Sequence, residues 1–338
     1  MFFGIIICIF VFRIDTSSMT CYNHETLIKN KDQNGMKLTQ LTKKALLPFL
    51  MGGMLYAASD VSSTNQSLRA LPSHYNMIVA LYGRPHVKTL GTLGQQPLAQ
   101  TIEKAKAKAK LYEKALGNGQ HVTPGFDLIY EMATSSPGKN GKYVITLNEQ
   151  TLQEYIAAAQ KNGIVVFIDV QLGKKSPAQA VKPLLKYLKY DNVQIAVDPE
   201  FSVDNLTVRP GKKIGSITGP QINAVQDMMR DYIKANGIKD DKILLVHMFT
   251  EHMVTQKKAI RYTDRVHLVM HLDGHGSPAL KIKTYNGLYT EARASKVVGG
   301  FKVFYKQDKP MMKPRQVLGL EPVGKKRVRD MPRVITYQ

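Results

Sequence analysis

The stretch GIVVFIDVQLG, residues 163–173, is followed by NVQIAVDPE, residues 192–200, and together they decide the fold. Each is a short run of apolar, largely β-branched residues that stops at an acidic residue, which is typical of a buried strand. Residues 176–189, between them, have the apolar spacing of a helix. Strand, helix and strand in this order predict a parallel βαβ unit.

The same alternation extends outward over residues 76–338. Strand patterns occupy 76–82, 125–133, 163–170, 192–197, 242–247, 266–271, 300–305 and 333–337. Helix patterns occupy 97–116, 148–162, 176–189, 219–236, 251–261 and 281–295. Eight strands are typical of a closed barrel, whereas a doubly wound open sheet more often has about five or six. Because no glycine-rich phosphate loop follows the first strand, we predict an α/β fold with a single (β/α)8 TIM-type barrel.

The residues before the barrel contain the pattern of a secretory signal. From Met36 the chain has three lysines, an apolar run at 45–58 and small residues at 57–59. These match the basic, apolar and cleavage regions of a signal peptide, and the run is shorter than the roughly 20 residues of a membrane span. We expect Met36 to be the biological start. The predicted organisation is an upstream extension at 1–35, a signal peptide at 36–59, a linker at 60–75 and the barrel at 76–338.

The cysteines and the charge indicate where the barrel acts. Cys8 and Cys21 both lie in the upstream extension, so no disulfide and no lipid attachment through a cysteine is expected. We predict an exported protein, periplasmic or secreted, without a stable membrane span after cleavage. The chain carries 47 basic and 26 acidic residues, a net charge of +21, and residues 1–59 hold six and three of them, which leaves +18.

The positive electrostatic field of such a basic protein favours a glycan or another polyanionic envelope polymer as the partner. Nucleic acid is not expected as a partner, because the exported chain lacks tryptophan and shows no recognised nucleic-acid motif.

Candidate site residues stand where the strands end, since the active sites of (β/α)8 barrels lie at the C-terminal ends of the strands. Asp169 and Gln171 follow the third strand two residues apart, which places both on one face. Asp198 and Glu200 follow the fourth strand with the same spacing. The remaining candidates are His247, His271 and Asp273 after the fifth and sixth strands, and Tyr82, Tyr305 and Lys306 after the first and seventh.

Paired carboxyl groups in a barrel mouth suit glycoside hydrolysis, in which one acid protonates the leaving oxygen and the other is a base or nucleophile. We predict Glu200 as the proton donor, with Asp198 or Asp169 as its partner. Substrate binding is assigned to Tyr82, Gln171, His247, His271, Asp273, Tyr305 and Lys306. This scheme uses no cofactor and no metal.

Two alternatives use the same residues. Zinc or manganese could activate a water in a metal-dependent hydrolase, with ligands drawn from Asp198, Glu200, His247, His271 and Asp273. No metal signature supports this, because His247 and His252 are five residues apart and lack the spacing of two histidines on one helix face. The other alternative is a glycan-binding protein without catalysis.

The chain resembles a family of exported bacterial proteins with a (β/α)8 barrel and no assigned reaction, similar to glycoside hydrolases in architecture. The resemblance covers residues 77–338. It is carried by Tyr82-Gly83, Leu93-Gly94, the segments 169–173, 198–201 and 214–216, Val246-His247, Phe249-Thr250, Asp273-Gly274, and the segments 304–308 and 334–338. It implies a barrel and export, and it supplies no catalytic assignment. The basic segment 324–331 departs from the compact ending of that family.

Overall fold

The computed structural model describes residues 70–203, 208–293 and 297–338, with the backbone alone for 289–293. The predicted upstream extension, the signal peptide and residues 60–69 of the linker lie outside the described residues.

Eight parallel strands close into a barrel, and the predicted fold is confirmed. They are β1 (Ile78–Gly83), β2 (Thr123–Ala133), β3 (Val165–Gln171), β4 (Val193–Asp198), β5 (Lys242–Met248), β6 (Val266–Leu272), β7 (Val298–Val303) and β8 (Val334–Tyr337). Each strand pairs with the next, and β1 also pairs with β8, so that Ile78 faces Val334 in the register. Each β-strand candidate from the sequence corresponds to one strand of the barrel.

Helices follow most of the strands. They are α1 (Leu98–Leu116), α2 (Glu149–Lys161), α3 (Pro177–Val181), α4 (Gly219–Ala235), α5 (Pro278–Arg293) and α6 (Pro314–Val317). α3 continues as a 3-10 helix over Lys182–Lys189, which contains Pro183 and therefore lacks one backbone donor. A short strand, Val144–Thr146, pairs antiparallel with the end of β2. No helix in the described ranges is long and apolar enough to cross a bilayer.

The connection between β5 and β6 shows that the predicted helix at 251–261 was wrong. Two 3-10 turns flank the strand Val254–Thr255, which pairs with Ile217–Thr218. The β-branched residues Val254 and Thr255 favour a strand over a helix. Because Met253, Val254 and Ile260 are buried, the apolar spacing that indicated a helix reflects the packing of irregular turns.

The barrel interior has two layers, because alternate residues of each strand point inward. The lower layer, which we call the barrel floor, is apolar. It consists of Ile78, Val165, Phe167, Ala196, Ile243, Leu245, Val269, Val298 and Val334, and Leu71 packs against it. The residues of opposite parity form a second core against the helices.

The upper layer, which we call the polar layer, receives one polar side chain from each of the eight strands. In chain order these are Tyr82, Asp127, Asp169, Asp198, His247, His271, Lys302 and Thr336, all of them buried. On β3, for example, Asp169 follows Val165 and Phe167 of the barrel floor at steps of two residues. Inward-facing and outward-facing side chains alternate along each strand. The inward-facing ones are apolar in the barrel floor and polar in the polar layer.

Gly300 offers a test of how tightly this interior is packed. A Cβ atom at Gly300 would lie 2.6 Å from Cδ2 of His271 and 3.1 Å from Val269, whereas one at Gly287 on α5 would contact nothing within 4 Å. We expect Gly300→Ala to lower the free energy of unfolding by about 1–3 kcal/mol through overpacking. Gly287→Ala should raise it by up to about 1 kcal/mol through helix propensity. Urea unfolding of both variants makes the measurement, and equal effects would contradict the packing described.

Candidate functional site

His247 lies at the centre of the polar layer and is surrounded by three carboxyl groups. Its Nε2 is 3.6 Å from Oδ2 of Asp127 and 3.9 Å from Oδ2 of Asp169, and its Nδ1 is 3.3 Å from Oδ2 of Asp273. Burial alone would lower the pKa of His247, but Asp273, Asp169 and Asp127 outweigh it and raise the pKa to about 9. The imidazole is therefore a buried cation at neutral pH.

Asp127 and Asp169 lie on one side of this cation and are completely buried. Neither carboxyl group has a hydrogen bond. Burial raises the pKa of Asp127 to about 6 against the opposing charges of His247 and Lys302, and it raises the pKa of Asp169 well above its usual range. Among the described residues, Asp127, Asp169 and His247 form a group whose possible ligand atoms lie within 4.8 Å of one another, as a metal site would require.

Lys302 supplies a second buried cation from β7. Its Nζ lies 3.4 Å from the centre of the Tyr82 ring and 3.8 Å from Oδ2 of Asp273. Burial would raise the pKa of Asp273, but His247 and Lys302 hold it below its usual value. Among the carboxyl groups around His247, Asp273 is therefore the one that is ionised most readily, and it links the two cations.

Asp198 and Glu200 stand at the end of β4, where Pro199 ends the strand. Oδ1 of Asp198 accepts the backbone N–H of Glu200 at 2.9 Å, and Oδ2 accepts Nε2 of Gln171 at 3.5 Å. Gln171 is itself held by the backbone N–H of Ala133, which donates to its Oε1 at 2.8 Å. These contacts fix the orientation of the Asp198 carboxyl group.

Glu200 is half-buried and differs from the acids below it. Burial, followed by the charges of Asp198 and Asp273, raises the pKa of Glu200 to about 8. Its carboxyl group therefore carries a proton at neutral pH. The turn that holds it packs closely on Gly215, whose N–H donates to the Glu200 carbonyl at 2.6 Å and whose Cβ position would lie 2.3 Å from the Pro199 carbonyl.

His271 closes the layer on the side of β8. Its ring is 4.9 Å from the His247 ring, edge to face, and its Nε2 lies 3.2 Å from Oγ1 of Thr336. Burial and the neighbouring charges of His247 and Lys302 lower the pKa of His271 well below its usual value. The two histidines therefore carry different charges at neutral pH, although both are buried.

A buried ion pair supports the loops beside the layer. Nζ of Lys281 lies 2.7 Å from Oδ2 of Asp308 and donates to the carbonyls of Gly274 and Lys302 at 2.9 and 2.7 Å. Asp308 accepts the backbone N–H groups of Gly276 and Phe304, each at 2.9 Å. The pair joins the loop after β6 to the loop after β7, and so it positions Asp273 relative to Lys302.

The structure brings most of the predicted site residues together and separates two of them. Those together are Tyr82, Asp169, Gln171, Asp198, Glu200, His247, His271 and Asp273. Tyr305 and Lys306 line a different cavity, where the Tyr305 ring packs on the outward-facing Tyr337 with ring centres 5.4 Å apart. They flank the mouth and do not contribute to the polar layer.

The sequence-based candidates lacked Asp127 and Lys302, which both belong to the polar layer. Each interrupts an apolar strand pattern, within GFDLIYEMA at 125–133 and GFKVFY at 300–305. A charge in the middle of a strand that is covered by helices must point inward and find a partner, because burying it alone is costly. This signal could have identified both residues.

No protein-family model and no curated protein matches the sequence. Among solved structures, the chain is similar to a chitinase from Chromobacterium violaceum, with 14% identity over 67% of this chain and 68% of that one and a TM-score of 0.38. It is similar to the spore cortex-lytic enzyme SleL from Bacillus megaterium, with 12% identity over 69% and 52% and a TM-score of 0.37. An O-GlcNAc hydrolase from Thermobaculum terrenum gives 9% identity over 78% and 55% and a TM-score of 0.39.

The raised pKa of Glu200 predicts a pH-dependent effect on stability. A carboxyl group whose pKa rises from 4.5 to about 8 on folding stabilises the fold at low pH, and this contribution is lost as pH rises through that window. Glu200→Gln has no proton to lose. We expect the stability of the variant relative to wild type to increase by up to about 4 kcal/mol between about pH 5 and about pH 8.5.

Chemical denaturation at the two pH values makes this measurement. Glu154→Gln, at an exposed position on α2, is the matched control and should show no such trend. A difference between Glu200→Gln and wild type that stays constant with pH would show that Glu200 ionises normally in the folded protein.

Proposed function

We propose that this barrel is a glycoside hydrolase in which Glu200 donates a proton to the glycosidic oxygen. The proposal rests on the different protonation states of two acids, one that follows β4 and one that follows β6. Glu200 is held protonated to about pH 8, while Asp273 beside it is held ionised by His247 and Lys302. Acids whose environments move their pKa values in opposite directions are the arrangement that acid-assisted bond cleavage needs at neutral pH.

The chemistry follows from these protonation states. The Glu200 O–H bond breaks as its proton moves to the glycosidic oxygen, which leaves with the electron pair of its bond to the anomeric carbon. Positive charge develops on that carbon, where the ionised carboxylate of Asp273 stabilises it. Asp198, the partner predicted from the sequence, lies next to Glu200 and has its own pKa raised by burial. Water then bonds to the carbon and returns a proton to Glu200. The products are a reducing sugar and the alcohol of the leaving group, and the acid is restored.

Asp169 was predicted from the sequence as a possible partner of Glu200, and we now propose a different role for it. It is completely buried one step below Asp198 in the strand register, and its Oδ2 lies 3.9 Å from Nε2 of His247. We assign Asp169 and Asp127 as positioning residues that flank Nε2 of His247. Tyr82, Gln171, His271 and Asp273 line or support the same layer and keep their proposed role around the bound sugar.

The proposed substrate is a glycan of the cell envelope or of the surroundings. Two features of the sequence support this proposal, the signal pattern at 36–59 and the net charge of +18 that remains without residues 1–59. A basic protein outside the cytoplasm is attracted to acidic polymers there. The protein would act in the periplasm or after secretion.

Metal-dependent hydrolysis is the second candidate, and Asp127, Asp169 and His247 are the observation in its favour. A cation between them would require His247 to release the proton that the surrounding carboxyl groups stabilise. The ion-pair interpretation therefore agrees better with the charges present. This group also differs from the ligand set predicted from the sequence, of which it shares only His247.

Glu200→Gln tests the proton donor. We expect kcat on a glycan, or on a glycoside with an alkyl leaving group, to fall by about 10²–10⁴-fold, the usual contribution of a general acid. A dinitrophenyl glycoside of the same sugar should lose far less, because its leaving group needs no proton. In the wild type, kcat/KM should fall as pH rises through about 8.

The experiment begins with a screen of aryl glycosides and purified envelope polysaccharides, so that the sugar is known. Glu154→Gln is the matched control and should retain the wild-type rates. Equal losses on both leaving groups, or an unchanged rate on the alkyl glycoside, would remove Glu200 from the donor role.

Metal analysis separates the two candidate reactions. We expect the purified protein to contain no stoichiometric zinc or manganese, and its activity to survive prolonged chelation. Asp127→Asn should then change stability without changing metal content. Stoichiometric metal that disappears in Asp127→Asn would establish the second candidate in place of the first.

A further inference from the structure

A cavity of about 520 Å³ opens beside the barrel mouth. It is lined by α1, by the loops that follow β1 and β7, and by Gln338, which follows β8. These segments come after the C-terminal ends of strands or continue from such loops. The cavity therefore lies at the same end of the barrel as Glu200, on the outer side of the strands.

The cavity concentrates positive charge without acidic partners. Its lining includes Lys88, Lys104, Lys108 and Lys306 and contains no aspartate or glutamate. The ion pairs found among residues 70–203, 208–293 and 297–338 include none of these four lysines. Elsewhere on α1, by contrast, Lys106 pairs with Glu103.

Two of the lysines are held in place by aromatic rings. Nζ of Lys108 lies 4.3 Å from the centre of the Tyr337 ring and 5.2 Å from that of Tyr305, and Nζ of Lys104 lies 5.5 Å from that of Tyr305. Contacts of this kind orient an ammonium group without neutralising it. Lys104 and Lys108 are one helical turn apart and repel each other, and both are partly buried, which disfavours their charges.

We infer that this cavity binds an anionic substituent, a carboxylate or a phosphate, of the glycan on which the barrel acts. An anion between Lys104 and Lys108 would remove their mutual repulsion and form charge-assisted hydrogen bonds with both. Lys88 and Lys306, at the exposed rim, would extend the contact along an acidic chain. The inference rests on the proposed glycosidase function and adds that the substrate is an acidic glycan, gripped beside the cleavage site.

Binding is measured by titration calorimetry in the Glu200→Gln background, so that no turnover is needed. The probes are a hexamer of galacturonic acid, maltohexaose as the neutral counterpart, and inorganic phosphate. We expect saturable binding of the acidic hexamer, none of maltohexaose, and competition by phosphate if the site accepts either anion.

Lys104→Gln with Lys108→Gln should raise the Kd of the acidic hexamer by about tenfold or more. The charge-matched control is Lys325→Gln with Lys326→Gln, two exposed lysines that do not line this cavity. It should change Kd by less than about twofold. Lys306→Gln, at an exposed position, gives a second variant that leaves the packing of α1 intact.

No saturable binding of either anionic probe, or equal effects of the two double variants, would overturn the inference. Hydrolysis of a neutral glycan together with absent anion binding would retain the proposed function and reject this site. Anion binding that depends on Lys104 and Lys108, in a protein without any hydrolase activity, would retain the site and reject the proposed function.

Discussion

The interaction on which the rest of the site depends is the ion cluster around His247. A buried imidazolium is costly unless carboxylates surround it, and buried carboxylates are costly unless a cation lies among them. Asp127, Asp169 and Asp273 meet His247 within 3.3 to 3.9 Å, and Lys302 adds a second positive charge. Each of these residues comes from a different strand or the loop after it, so only the closed barrel assembles the cluster. The buried charges are therefore balanced only when the barrel is closed.

Most of the fold was predictable because strand and helix have different apolar periods, and the eight strand patterns are short and separated by turn residues. The connection at 251–261 was mispredicted, because buried turns can imitate the spacing of a helix. The acids and histidines at strand ends were recognised, since polar residues that end an apolar run are conspicuous. Asp127 was overlooked because it lies within an apolar run, where only its inward-facing position on the strand indicates that it belongs to the site. Whether Tyr305 faces the mouth or the helices depends on tertiary packing, which periodicity does not encode.

The acids lie at different depths in the barrel, and the depth of each determines the role that we propose for it. Asp127 and Asp169 are wholly buried and flank Nε2 of His247. Glu200 lies above them, half-buried, where burial is sufficient to retain a proton but still leaves the carboxyl group within reach of a ligand. The ion pair of Lys281 and Asp308 ties together the loops that carry Asp273 and follow Lys302, so it fixes the distance between opposite charges. The proposed acid therefore lies above a buried framework of opposite charges.

The pairing of β8 with β1 has a consequence for the order of assembly. Ile78 and Val334 lie side by side, although almost the whole barrel separates them along the chain. β8 is the last of the eight strands to be synthesised, and contacts this distant in sequence form late in folding. Until then Tyr82, Lys302 and Thr336 face an open seam through which water reaches the charged groups. The barrel can thus keep its ions hydrated until β8 pairs with β1, and it dehydrates them together in that step.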